Sequence, residues 1–331
     1  MSLKLSLIIP LYNRPDEIRE LLDSLCLQSD TDFEVVVVED GSELKSDEIV
    51  SSFENRLSIQ YFFKPNSGPG QSRNYGAERA KGNYFIFLDS DCIIPPDYIK
   101  AVKSFLADNP VDAFGGPDRA DESFSNIQKA INYSMTALFT TGGIRGSKHS
   151  VEKFHPRSFN MGYSNQVFET TKGFAKMRFG EDIDMSIRMM KAGFKTALIP
   201  EAYVYHKRRS TWRQFYKQVH NSGIARINLY KRHPESLKML HFFPAAFTTF
   251  VIFSGLVAPF SLIPLGFLAF YFLVILIDAT KQNKSLAVGL MAILASFIQL
   301  FSYGLGFIKA FYRRLILGRG EFAAYQKNFY K

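Results

Sequence analysis

Between Phe242 and Ile277 the chain runs 36 residues without a charged side chain, and between Ser285 and Ile308 it runs 24 more. A helix rises about 1.5 Å per residue, so about 20 such residues cross the hydrocarbon core of a bilayer. The first run is too long for one span, and Pro259 and Pro264 interrupt it. It reads as two helices with a turn near residues 258–264, followed by a third segment at 285–308. The second half of that segment holds Ser296, Gln299, Ser302, Gly304 and Gly306. It is therefore expected to enter obliquely or lie in the interface. The cationic tail would then return to the cytoplasmic face, as the positive-inside rule prefers.

Charge follows the same division. Residues 1–202 carry a net −5, residues 203–241 a net +8 and residues 242–331 a net +6. The first 200 residues thus resemble an acidic soluble domain. The basic stretch after them would attract anionic lipid head groups, at about 1 kcal/mol per cation. No basic patch accompanies a nucleic-acid-binding motif, so nucleic acid is not an expected partner. The expected organisation is a soluble domain over 1–202, with halves at about 1–110 and 111–202. Basic juxtamembrane helices follow over 203–241. A membrane region over 242–331 has two to three helices and a basic tail, separable near residue 241. Cys26 and Cys92 lie in apolar sequence and read as small hydrophobes rather than a disulfide framework.

Residues 1–110 alternate two patterns. Leu5–Ile9, Phe33–Val38, Ser58–Phe63 and Tyr84–Leu88 read as strands. Pro15-Asp16-Glu17 opens a helix with Ile18, Leu21, Leu22 and Leu25 on one face. Gly70 to Lys81 reads as a second helix, and Pro95-Pro96-Asp97 opens a third. Continuous apolar strands separated by helices predict an α/β fold with a mostly parallel sheet flanked by helices. In such sheets ligands bind at the carboxyl ends of the strands. Tyr12-Asn13, Glu39-Asp40 and Asp89-Ser90-Asp91 stand at those ends.

Two carboxylates in Asp89-Ser90-Asp91 suit a hard divalent cation shared with phosphates. Asp40 beside Gly41-Ser42 can accept from a ring N–H or a ribose hydroxyl, or cap a helix. Gly68 and Gly70 permit close backbone approach, and Arg73 supplies a fork for an anion. No Gly-Lys-Ser/Thr follows and G-x-G-x-x-G is absent, which excludes a P-loop and a dinucleotide fingerprint. Glu181 and Asp182 after Gly180 sit in the first turn of a helix, where anions are favoured.

Read together and in order, these motifs resemble the family 2 glycosyltransferases with the GT-A fold. The match runs through Ile8-Ile9-Pro10-Leu11-Tyr12-Asn13, Glu39-Asp40-Gly41-Ser42, Gly68 to Arg73-Asn74, Asp89-Ser90-Asp91, Gly115-Gly116 and Gly180-Glu181-Asp182. It covers roughly residues 4–225. The resemblance implies that Pro10, Tyr12, Asn13 and Asp40 hold the base end of a nucleotide-sugar, UDP-linked by preference. It implies that Arg73 and Asn74 shape the nucleotide pocket, and that Asp89 lies near the ribose or donor sugar. Asp91 would ligate Mg²⁺ or Mn²⁺, with His206 a further ligand or diphosphate contact. Asp182 would be the general base of an inverting transfer. Glu181, Asn160, Arg208 and Arg209 are weaker candidates for the acceptor or diphosphate.

Gln218-Val219-His220-Asn221-Ser222 departs from the Gln-x-x-Arg-Trp of processive relatives, so processive polymerisation is not expected. The expected acceptor is a lipid-linked or membrane-proximal glycan in cell-surface polysaccharide synthesis, with the catalytic domain on the cytoplasmic face of the inner membrane. The alternatives are transfer to a polyprenyl phosphate, and an inactive scaffold that binds glycan.

Overall fold

The computed structural model describes residues 3–119, 124–142, 155–177, 179–207 and 210–322. The strands are β1 (Leu5–Leu11), β2 (Phe33–Asp40), β3 (Ile59–Lys64), β4 (Tyr84–Leu88), β5 (Cys92–Ile93), β6 (Ala113–Gly115), β7 (Asp118–Arg119), β8 (Asn160–Ser164), β9 (Thr196–Leu198) and β10 (Val204–His206). The helices of the first 110 residues are α1 (Pro15–Cys26), α2 (Asp47–Ser51), α3 (Pro69–Ala77) and α4 (Tyr98–Asp108). Then come α5 (Asn126–Thr136), α6 (Leu138–Thr141), α7 (Asn165–Thr171), α8 (Glu181–Lys191) and α9 (Trp212–Arg232). Three apolar helices follow: α10 (Phe243–Val257), α11 (Ile263–Asn283) and α12 (Leu286–Phe311). The chain forms two compact units, which divide at 119/120, 153/154, 206/207 and 322/323.

The first unit is built on a seven-stranded sheet in the order β3-β2-β1-β4-β8-β6-β9. Every neighbouring pair is parallel except the two that β8 makes. Side chains alternate between its faces with period two. Leu7 and Ile9 of β1 and Val35 and Val37 of β2 pack with Ile18, Leu22 and Tyr98 from α1 and α4. Ile8, Val36 and Val38 pack on the other face with Ala77, Met185 and Met189 from α3 and α8. Both faces are covered, which is why these strands are apolar throughout.

The chain moves outward from β1 to β3, then returns to place β4 on the other side of β1. The crevice between the ends of β1 and β4 is therefore a topological switch point. A small sheet, β5-β10-β7, pairs His206 with Cys92 in register. Thus β10 carries the first unit's strand structure past residue 202.

Gly116 lies where backbone passes backbone. A Cβ there would stand 1.8 Å from the Ala202 carbonyl oxygen and 2.2 Å from Asn160 Nδ2. Asn160 is fully buried, donates to that same carbonyl at 2.7 Å and accepts from the Tyr98 hydroxyl at 2.6 Å. Gly116→Ala is expected to destabilise the fold by about 3 kcal/mol through overpacking. Chemical denaturation checks this, and a midpoint equal to wild type would refute the close approach.

The second unit holds α5, α6 and α9–α12. Its core joins Ile131 and Tyr133 of α5, Phe215 and Val219 of α9, Ile275 of α11 and Ala292 and Ala295 of α12. Three segments, Met239–Val257, Ile263–Asn283 and Leu286–Ile316, are long and apolar enough to cross a membrane. Around the turn between α10 and α11, Leu256, Phe260, Ile263, Phe267 and Phe270 are exposed. An apolar patch of this kind marks a lipid or partner contact.

The small residues of α12 face protein. A Cβ on Gly304 would meet the Pro244 carbonyl at 2.2 Å, and one on Gly306 would meet the His220 carbonyl at 2.1 Å. Likewise a Cβ on Gly223 of α9 would meet the Tyr303 carbonyl at 2.2 Å. The moderate hydropathy in the second half of α12 therefore records close helix packing. Residues of α5 and α9 share their core with α11 and α12, so a cut at the charge boundary near residue 241 passes through this unit. Among the described residues, the basic stretch before that boundary holds β10, one long helix, α9, and two short 3₁₀ turns.

Candidate active site

Asn13, after β1, has a left-handed backbone (φ 50°), which asparagine tolerates better than most residues. Its N–H donates to Ser42 Oγ at 2.8 Å, and its Oδ1 accepts from the amides of Glu43 and Leu44 at 2.8 and 3.0 Å. It thereby clamps the loop after β1 to the loop after β2. Pro10 pairs in register with Val38, and Tyr12 follows the strand end. Asp40 ends β2 and is buried. Its oxygens accept from the amides of Ser67 and Gly68 at 2.9 and 2.8 Å and pair with the Lys64 ammonium. A nucleobase N–H would have to share these oxygens.

Asn74 binds Phe174 through both backbone groups, at 2.9 and 2.8 Å, and so fixes the 173–174 loop to α3. Arg73 is buried. It donates to Asp89 Oδ1 at 2.6 Å and reaches Glu181 Oε1 at 3.4 Å. One guanidinium thus ties the end of β4 to the start of α8, which lies 108 residues along the chain from Arg73 itself.

Asp91 is buried and both of its oxygens are engaged. The Arg14 guanidinium holds Oδ2, and His206 Nε2 stands 3.1 Å from Oδ1. Burial alone would raise this carboxyl, but His206 and Arg14 hold it well below the usual carboxylate range. His206 also lies 3.9 Å from Asp89 Oδ2 and stacks on Phe159. Ligating atoms of Asp91, Cys92 and His206 lie within 4.8 Å of one another. Burial pushes the Cys92 thiol up, so it stays a buried neutral group, as its apolar sequence suggested.

Gly180 caps α8 with a left-handed backbone (φ 85°) that places Glu181 and Asp182 in the first turn. Asp182 accepts from the Ile183 amide at 2.8 Å through Oδ1 and from Arg157 Nε at 2.6 Å through Oδ2. Burial raises its pKa, but the Arg157 guanidinium outweighs burial and holds the carboxyl below its ordinary value. Glu181 goes the other way. Burial first, then the Asp182 charge, push it up to about 7 against the pull of Arg73.

A carboxyl whose folded pKa exceeds its unfolded value favours folding at low pH. For Glu181 that contribution is present below the unfolded value and lost as pH rises through about 7. Glu181→Gln is therefore expected to raise Tm relative to wild type at alkaline pH, with the advantage fading under acid conditions. Thermal unfolding of both proteins across pH checks this, and a difference independent of pH would refute it.

The structure brings Asp89, Asp91, His206, Arg73, Glu181 and Asp182 into one network. Asn160 does not reach it, because its amide faces the interior. Arg208 and Arg209 lie outside the described residues. Sequence reasoning missed Arg14 and Arg157. Arg14 directly follows the Tyr12-Asn13 motif, which was a usable signal. Arg157 precedes β8 in sequence with no readable pattern.

The family model described as glycosyl transferase family 2 matches residues 6–172. The chain is 38% identical over 106 residues to an uncharacterized glycosyltransferase of Rickettsia felis, covering 32% of this chain and 18% of that protein. It is 38% identical over 114 residues to the poly(ribitol-phosphate) beta-N-acetylglucosaminyltransferase TarS of Staphylococcus aureus, covering 33% of this chain and 20% of that one. The chain therefore spans about a fifth of the length of these relatives. Among solved structures, the mannosyltransferase PcManGT from Pyrobaculum calidifontis, in complex with GDP-Man and Mn²⁺, matches at a TM-score of 0.63 and 18% identity. That match covers 90% of this chain and 88% of the other, and it shows a shared GT-A fold.

Proposed function

Because the chain belongs to glycosyl transferase family 2, we propose that it moves a sugar, with inversion, from a nucleoside-diphosphate sugar to a hydroxyl of a lipid-linked or membrane-proximal glycan. The observation that carries this reading is the Arg73 bridge between Asp89 and Glu181, which joins the donor end of the network to the base end. Asp182 takes the proton of the acceptor hydroxyl as its oxygen bonds to the anomeric carbon. The nucleoside diphosphate leaves from the opposite face with the bonding pair, so a second carboxylate nucleophile is not needed.

Asp91 and His206 fit a divalent cation. Their donor atoms already converge at 3.1 Å, with His206 Nε2 facing the Asp91 carboxylate, and His206 Nδ1 is buried without a hydrogen-bond partner among the described residues. Bound there, such an ion would neutralise charge on the departing diphosphate. A carboxylate with an imidazole suits Mn²⁺ better than Mg²⁺, because imidazole prefers the softer ion. The three apolar helices and the basic stretch before them support attachment to the inner membrane with the catalytic unit on the cytoplasmic side.

A second reading, transfer to a polyprenyl phosphate, draws on Arg157. Its side chain is about one-third exposed, and neither Nη has a hydrogen-bond partner among the described residues. Thermal shift with a panel including UDP-GlcNAc and GDP-Man tests donor choice, since a bound donor stabilises by mass action. Transfer is then measured with glycan and polyprenyl-phosphate acceptors. Donor binding with neither hydrolysis nor transfer would favour the inactive scaffold.

A further inference from the structure

We propose that Arg14 is a stand-in counter-ion for the cation site, and that its guanidinium moves from Asp91 to the donor's diphosphate when the site is loaded. The inference rests on the reading of Asp91 and His206 as cation ligands and assigns a role to a residue outside that set.

Arg14 is built to move at its tip alone. Its backbone follows the clamped Asn13, and its carbonyl accepts from the Ile18 amide at 3.1 Å in the first turn of α1. The side chain is 29% exposed, against 11% for the Asp91 carboxylate it covers. Its guanidinium therefore lies between the buried acid and solvent, at the switch point between β1 and β4. The charges that face it are Asp91, Asp89 and Glu17.

Charge decides the order of events. A divalent cation on Asp91 adds two positive charges beside Arg14, which shares the same carboxylate, so Arg14 opposes it. A diphosphate alone adds two negative charges beside Asp89 and Asp91, which oppose it. Together the two additions cancel, and Arg14, released from Asp91, finds the phosphate oxygens as its new partner. Cation and nucleotide then raise each other's affinity by one common factor, as linkage requires. Arg14 is the residue that makes that factor large.

The test uses the full-length protein in detergent and follows free Mn²⁺ by electron paramagnetic resonance, with and without UDP. Without UDP, Arg14→Gln is expected to bind Mn²⁺ about tenfold more tightly than wild type, within the usual range of coupling effects. The gain in Mn²⁺ affinity on adding UDP is expected to shrink by a similar factor. Arg14→Lys, which keeps the charge but loses the fork, should fall between the two, and it carries the test if the glutamine variant fails to fold. Unchanged or weaker Mn²⁺ binding by the variants without UDP overturns the proposal alone. No Mn²⁺ binding by wild type, even with UDP, overturns the cation reading itself.

Discussion

Asp182→Asn is expected to keep donor affinity within about twofold of wild type and to cut transfer by about 10²–10⁴-fold, the usual span for a general base. The change is nearly isosteric and removes the charge without opening a cavity. Oδ1 can still accept from the Ile183 amide, so the start of α8 keeps its geometry. Arg157 loses its ion pair, but its side chain is 32% exposed and can turn to water. An effect confined to KM would move Asp182 from proton transfer to acceptor binding. Activity within a few-fold of wild type would end its assignment as the base. The lowered pKa agrees with a group that is ionised throughout the neutral range, and the Arg157 contact means an acceptor hydroxyl must share or displace that guanidinium at Oδ2.

Asp91→Asn is expected to weaken Mn²⁺ binding in the presence of UDP by at least about 100-fold. Loss of a mere outer-sphere partner costs 10–100-fold, and Asp91 is read as a direct ligand. UDP affinity measured with Mn²⁺ should fall with it, whereas UDP affinity in EDTA should rise, because the Asp91 charge that opposes a bare diphosphate is gone and Arg14 is no longer held by it. Asparagine preserves the shape between Arg14 and His206, so a folding defect is not the expected cause. Full transfer activity of wild type in excess EDTA would show that the cation is not needed, and would leave Asp91 as the anchor of Arg14 and His206.

Much of this architecture is legible along the chain. Leu7, Ile9, Val35 and Val37 fall on one sheet face and Ile8, Val36 and Val38 on the other, because side-chain direction alternates with period two. Pro15 starts α1, and the uncharged runs become α10, α11 and α12, with the break between the first two where the prolines stand. Local composition specifies such elements. It also marks Asp89, Asp91 and Asp182 as candidates, although an acid that opens a helix is favoured there on structural grounds alone, so the order of the motifs rather than any one acid singles them out.

Who pairs with whom depends on the fold. Arg14 meets Asp91 77 residues away because β1 and β4 are neighbours, and Arg157 meets Asp182 because its side chain reaches the start of α8. His206 reaches Asp91 only because β10 pairs with β5. The grouping of α5 with α9 and the apolar helices is equally invisible locally: Tyr133 donates to Asp278 at 2.6 Å across 145 residues. Periodicities, strand-end acids and apolar lengths are local properties of the chain, since each depends on near neighbours. Pairings of charge depend on topology, and a guanidinium in a sequence carries no mark of the carboxylate that the fold will bring to it.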